Sequence, residues 1–146
     1  MPNQQRQQTH ELLQQQQIHQ AVFARPESVK WLTGFAAPIQ VGTNLFASSY
    51  PLVWYDNGQF TLIVLDSYTE LAASFAQESD GSVVTYLGYT IEQPIASGKY
   101  LLEAFTKVAK NARGKIGIER EFVSDLIAAP LREHEIVAID GWLEPL

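Results

Sequence analysis

The tripeptide Asp56-Asn57-Gly58 restricts the fold of this chain more than any other feature. Asn-Gly takes up the positive φ angles of a tight turn at little cost, so the segments on either side are held antiparallel. Both flanks, Pro51 to Asp56 and Phe60 to Asp66, are rich in β-branched and aromatic residues, as hairpin arms are. A chain with such a hairpin near its middle carries at least one antiparallel strand pair.

Beyond the hairpin, helices and strands alternate. Tyr68 to Gln77 reads as a helix with Leu71 and Phe75 one turn apart, Asp80-Gly81 breaks it, and Ser82 to Thr90 reads as a strand. The clearest helix spans Gly98 to Ala112. Leu101, Leu102, Phe105, Val108, Ala109 and Ala112 make its apolar face, Lys107 and Lys110 face water, Ser97 caps the start and Gly114 closes the end. Lys115 to Glu119 is a strand, Phe122 to Leu131 a helix and Glu135 to Ile139 a final strand.

Upstream, Gln4 to Gln17 reads as a surface helix on propensity, with a thin stripe of Leu12, Leu13 and Ile18. A low-complexity tail is the competing reading for residues 1–8. Ala21 to Ala24 suits a buried strand. Pro26 and Glu27 suit a first helical turn, and Gly34 suits the left-handed cap that ends it. The order of elements implies an α/β fold, a mixed sheet with helices packed over it.

The 146 residues fit one domain. Net charge is −6 and the pI about 4.9, which argues against a nucleic-acid partner because phosphate backbones need a basic face. No apolar run approaches the roughly 18 residues of a membrane span, and the Gln-rich start lacks a signal pattern, so no membrane partner and a cytoplasmic setting are expected. The absence of cysteine fits that setting and removes thiolate chemistry.

Catalytic patterns are missing. His10, His19 and His134 share no ligand spacing and read as solvated or structural, and there is no nucleophile elbow or Walker loop. No catalytic residue, metal ligand or cofactor is therefore expected in this chain. One exception needs weighing: Asp66, Glu119 and Asp140 all fall at strand ends, where carboxylates hold two magnesium ions in some nucleases. Turn and capping roles compete for Asp66 and Asp140, and Arg120 is a candidate partner for Glu119.

Trp31 to Tyr55 contains no charged residue. Its middle, Ala36 to Ser49, reads as a loop because Pro38, Gly42, Thr43 and Asn44 interrupt any period. Loops of this length usually carry function or are disordered, and charge-poor aromatic surfaces are typical of interface centres. Phe35, Ile39, Asn44, Phe46 and Tyr50 are the expected interface or substrate-facing residues, with folding over the chain's own core as the alternative.

The segment Ala21 to Phe35, ending in Trp31-Leu32-Thr33-Gly34-Phe35, resembles the opening of the creatinase, prolidase and aminopeptidase P family. Lys115-Ile116-Gly117-Ile118-Glu119 is similar to the strand before that family's last N-domain helix. The resemblance covers about Gln7 to Leu143. It implies an approximately six-stranded mixed sheet of ribonuclease-H-like topology. It also implies an N-terminal domain without catalysis, cut at the boundary before a C-terminal catalytic domain of pita-bread fold. In the parent, a metal-dependent Xaa-Pro dipeptidase or aminopeptidase, that second domain would hold two divalent ions (manganese, cobalt or zinc). This domain would support a homodimer and the substrate entrance. A stand-alone protein-interaction or ligand-binding domain on the same fold is the alternative function.

Overall fold

The structure, a computed structural model, describes residues 2–36, 51–87 and 97–146. Helix α1 (Pro2–Gln15) leads into strand β1 (Gln20–Phe23), helix α2 (Pro26–Thr33), and the hairpin β2 (Leu52–Asp56) and β3 (Gln59–Leu65). A 3-10 turn, Asp66–Tyr68, then runs into α3 (Thr69–Ala76), with β4 (Gly81–Tyr86) and α4 (Ser97–Val108) next in the chain. Strand β5 (Lys115–Ile118), the short α5 (Asp125–Ala128), a 3-10 turn at Ala129–Leu131 and β6 (Glu135–Ala138) complete the described elements.

The strands form one six-stranded sheet in the order β4-β3-β2-β1-β5-β6. β2 runs against both of its neighbours, and every other pairing is parallel. The hairpin is the predicted one: Asp56 pairs with Gln59, and Asn57 and Gly58 take φ of 48° and 97° in the turn. The mixed sheet with helices on its faces agrees with the expected fold class.

Alternation along each strand divides the interior into two cores. Ala21, Phe23, Val53, Tyr55, Phe60 and Leu62 face α1, α2 and α3, whereas Val22, Leu52, Trp54, Ile63 and Ile116 face α4 and α5. Trp54 meets Phe105 of α4 edge to face at 5.9 Å between ring centres.

Several local expectations need correction. α1 is helical from Pro2, and its docked stripe is Arg6, Thr9 and Leu13 rather than a leucine stripe alone; Leu12 is only half-buried. On α3, Leu71 is 57% exposed and Ala72 pairs with Phe75 on the buried side, because the helix docks through its small residue. The helix expected over Phe122 to Leu131 shrinks to Asp125–Ala128, with Pro130 in the adjoining 3-10 turn. Proline lacks the N–H that would continue an α-helix. β4 ends at Tyr86, and residues 88–90 of the longer predicted strand lie outside the described residues.

Candidate functional site

Open α/β sheets bind ligands at the carboxyl ends of strands, where neighbouring strands send their connections to opposite faces. That point here lies between the parallel neighbours β1 and β5, since α2 leaves β1 for the first core and α5 leaves β5 for the second. The crevice is filled by the protein itself. Glu119, directly after β5, is 2% exposed. Its Oε1 accepts the backbone N–H groups of Ala24 (2.8 Å) and Arg25 (2.9 Å), and its Oε2 accepts the Ser28 hydroxyl. Burial pushes its carboxyl above the usual range; the hydrogen bonds from Ser28, Arg25 and Ala24 pull it back, and nearby Asp140 adds to the rise.

Asp140 lies beyond β6 at the same edge and accepts the N–H groups of Arg120 and Glu121, both at 3.0 Å. Arg120 thus gives Asp140 its backbone. Asp66 is exposed and opens the 3-10 turn after β3, where its carbonyl oxygen accepts the Thr69 hydroxyl at 2.6 Å. The three carboxylates considered for a nuclease centre therefore do not assemble into one. Two hold neighbouring strand ends by their backbone donors, and among the described residues no group of three His, Asp or Glu side chains is placed to hold a metal ion.

The Glu119 carboxylate sits at the amino end of α2, satisfying donors that the chain presents there and facing the positive end of the helix. The far end of α2 is capped as well. Gly34, at φ 79°, donates its N–H to Lys30 O at 2.7 Å. The carbonyls of Trp31 and Leu32 are met by α1: with its amide assigned the orientation that satisfies both of its polar atoms, Gln5 donates to Trp31 O (3.0 Å) and accepts the Trp31 indole N–H (2.9 Å), and Arg6 Nη1 donates to Leu32 O (3.0 Å). Arg6 is completely buried, bridged to Asp80 at 2.8 Å and Glu78 at 3.4 Å, with its guanidinium 5.1 Å from the Phe75 ring centre. A cation at the negative end of a helix is the favourable polarity.

Sequence reasoning missed Gln5 and Arg6 because a scan for apolar periodicity passes over polar members. The available signal was the spacing i, i+3, i+7 of Arg6, Thr9 and Leu13, all at or below 1% exposure. Of the residues expected to face a partner, Phe35 turns inward. It is 3% exposed, its N–H is accepted by Thr33 Oγ1 (3.0 Å), and its ring lies 5.7 Å from that of Tyr68. Ile39, Asn44, Phe46 and Tyr50 lie outside the described residues. Among the histidines, His10 is structural: its Nδ1 is 2.6 Å from the Tyr55 hydroxyl and its ring packs over Gly58. His19 is exposed and His134 half-buried.

Arg25 ties the last residues to the start of α2, with Nη1 2.7 Å from Glu144 and Nε 3.1 Å from Glu27. Among the described residues no helix is long and apolar enough to cross a membrane.

The family model described as the creatinase/prolidase N-terminal domain matches residues 5–146. Among solved structures, the creatinase/prolidase N-terminal domain of an X-Pro dipeptidase from Streptococcus pyogenes is 15% identical, with a TM-score of 0.67 and 99% of each chain covered. The N-terminal domain of the cytoplasmic peptidase PepQ from Mycobacterium tuberculosis is 20% identical, with a TM-score of 0.65, covering 97% of this chain and 96% of that one. An X-Pro aminopeptidase from Thermotoga maritima is 16% identical at a TM-score of 0.65, and the match covers 96% of this chain but 35% of that one. No curated protein matches the chain.

Proposed function

The chain belongs to the creatinase/prolidase N-terminal domain family, and from that membership we propose that it is the non-catalytic N-terminal domain of a metal-dependent Xaa-Pro peptidase. The observation that carries this reading is the filled crevice between β1 and β5. Where a ligand would enter an open sheet of this kind, Glu119 instead satisfies Ala24, Arg25 and Ser28. The T. maritima aminopeptidase, of which the match covers 35%, supports a parent with a further domain after this one.

In this reading the domain's partner is the C-terminal catalytic domain of the same polypeptide, within a homodimer. Two divalent ions, manganese, cobalt or zinc, would belong to that second domain. The carboxylates at this chain's own sheet edge do not fit such ions, because Glu119 and Asp140 are held by backbone donors. What this chain supplies is a shaped, rigid surface near the substrate entrance. The M. tuberculosis relative is described as cytoplasmic, which supports the same compartment here.

The test is hydrolysis of an Xaa-Pro dipeptide in the presence of manganese. The chain alone is expected to show none, whereas the polypeptide that continues into the catalytic domain turns the substrate over. Measurable turnover by the purified chain, or a reading frame that stops near Leu146, would overturn the proposal.

A further inference from the structure

The two edges of the sheet differ in how they meet solvent. β6 has four residues, opens with Glu135 and follows Arg132 and Glu133; short length and charge are common guards against a second chain adding to an edge. β4 has six residues, with no charge and no proline among them, and pairs with β3 in unbroken register from Gly81 to Tyr86. Phe60 of β3 donates to Asp80 O (2.8 Å), so by alternation Ser82 and Val84 turn their backbone groups toward β3, while Val83 and Thr85 turn theirs away. Among the described residues, nothing meets the N–H and C=O groups of Val83 and Thr85. Beside this edge lies a groove of about 390 Å³ between β4 and α4. Val84 and Tyr100 stand in its walls, and Glu103 and Lys107, one turn apart on α4, border it. Both charges are exposed, and among the described residues neither is in an ion pair.

We propose that β4 is a self-association edge: two copies of this chain pair their β4 strands antiparallel across a two-fold axis, making one continuous sheet. A second copy is the occupant because the surface is complementary to itself. An axis at Val84 sets Val83 opposite the partner's Thr85 and Thr85 opposite the partner's Val83. In that register every outward backbone group of both residues finds a partner. The same axis runs the two α4 helices antiparallel over one face of the joined sheet. Glu103 then meets the partner's Lys107, and Lys107 the partner's Glu103, which gives the unpaired charges of the groove their counterparts. The contact closes at two copies, since the β6 edge keeps its guards. This gives the homodimer of the peptidase reading its surface and rests on that reading for its role alone. The pairing is measured on the chain without an activity assay, so either can fail while the other stands.

The experiment is sedimentation equilibrium of the chain at low salt, from about 1 μM to about 1 mM, where a monomer–dimer equilibrium is expected. Backbone amide exchange over the same range reads the register. The N–H groups of Val83 and Thr85 are expected to gain protection as the dimer forms, whereas Val84, already bonded to β3, keeps its protection throughout. Thr85→Pro removes an outward N–H from each copy and spares the β3 side, and Lys107→Glu sets like charges across the axis. Each is expected to weaken association about tenfold. Glu103→Lys combined with Lys107→Glu exchanges the two charges and is expected to return association to within about threefold of wild type. Thermal melting shows that each variant is folded; if Thr85→Pro does not fold, Lys107→Glu and its charge-exchanged rescue decide. A chain that stays monomeric to the top of the range overturns the proposal. So does a dimer whose affinity Lys107→Glu leaves unchanged, or whose formation leaves Val83 and Thr85 unprotected, because the contact then lies elsewhere. Growth beyond the dimer overturns the two-fold arrangement.

Discussion

At the scale of single residues, Glu119 carries the sharpest energetic statement. Replacing it by alanine leaves the buried N–H of Ala24 without an acceptor and opens a void, a loss of about 3 kcal/mol. Glutamine keeps the shape and one carbonyl acceptor, and Ser28 can turn its hydroxyl to accept, so Glu119→Gln is expected to cost about 1 kcal/mol at most. Because burial raises the carboxyl in the folded state, the folded protein binds the proton more tightly than the unfolded chain does. The group's contribution is therefore present in full below the ordinary glutamate range and is lost as pH rises through the raised folded value. Urea midpoints of wild type and Glu119→Gln should converge as pH rises from mild acid toward neutrality. Parallel curves would show that Glu119 titrates as it does in the unfolded chain. The sequence placed Glu119 at a strand end but could not reveal its use, since its backbone partners lie 94 and 95 residues away.

At the scale of elements, boundaries set by turn chemistry were legible and docking faces were less so. Asn57-Gly58 and Gly34 act where local conformation decides, because few residues tolerate positive φ. Gly81 is different. Its sequence role was to break the helix before β4, yet a Cβ built there would lie 2.7 Å from a ring carbon of Phe75. Gly81→Ala is accordingly expected to destabilise the fold by about 1–3 kcal/mol, and adding Phe75→Leu should return part of that loss. Thermal melts of the single and double variants check this, and a Gly81→Ala protein as stable as wild type would mean the ring moves aside freely. The α1 face shows the same limit. Helical propensity predicted the helix, but only the position of Asp80 and Glu78 beneath α1 explains why an arginine points inward.

At the scale of the whole molecule, the sheet separates two hydrophobic cores, with Ile18 in one and Ile127 in the other. Ile18→Val in the first and Ile127→Val in the second should each cost about 1 kcal/mol and add to within roughly 0.5 kcal/mol in the double variant. A larger discrepancy in urea unfolding would show that the sheet transmits strain between its faces. The sequence alone determined the alternation of strands and helices, the central hairpin, and the mixed sheet they imply, because these depend on local periodicity and on the φ angles that Asn57, Gly58 and Gly34 accept. It also carried enough of the family pattern, in Trp31–Phe35 and Lys115–Glu119, for the resemblance to be seen. Only the tertiary structure decided which polar side chains turn inward and what they meet. Arg6, Gln5 and Glu119 act across 26 to 95 residues of sequence, and the register of the sheet and the docking of α1 bring them to α2. A buried hydrogen bond between distant segments leaves no periodic trace, because its cost and its gain are settled only when both partners have left water together.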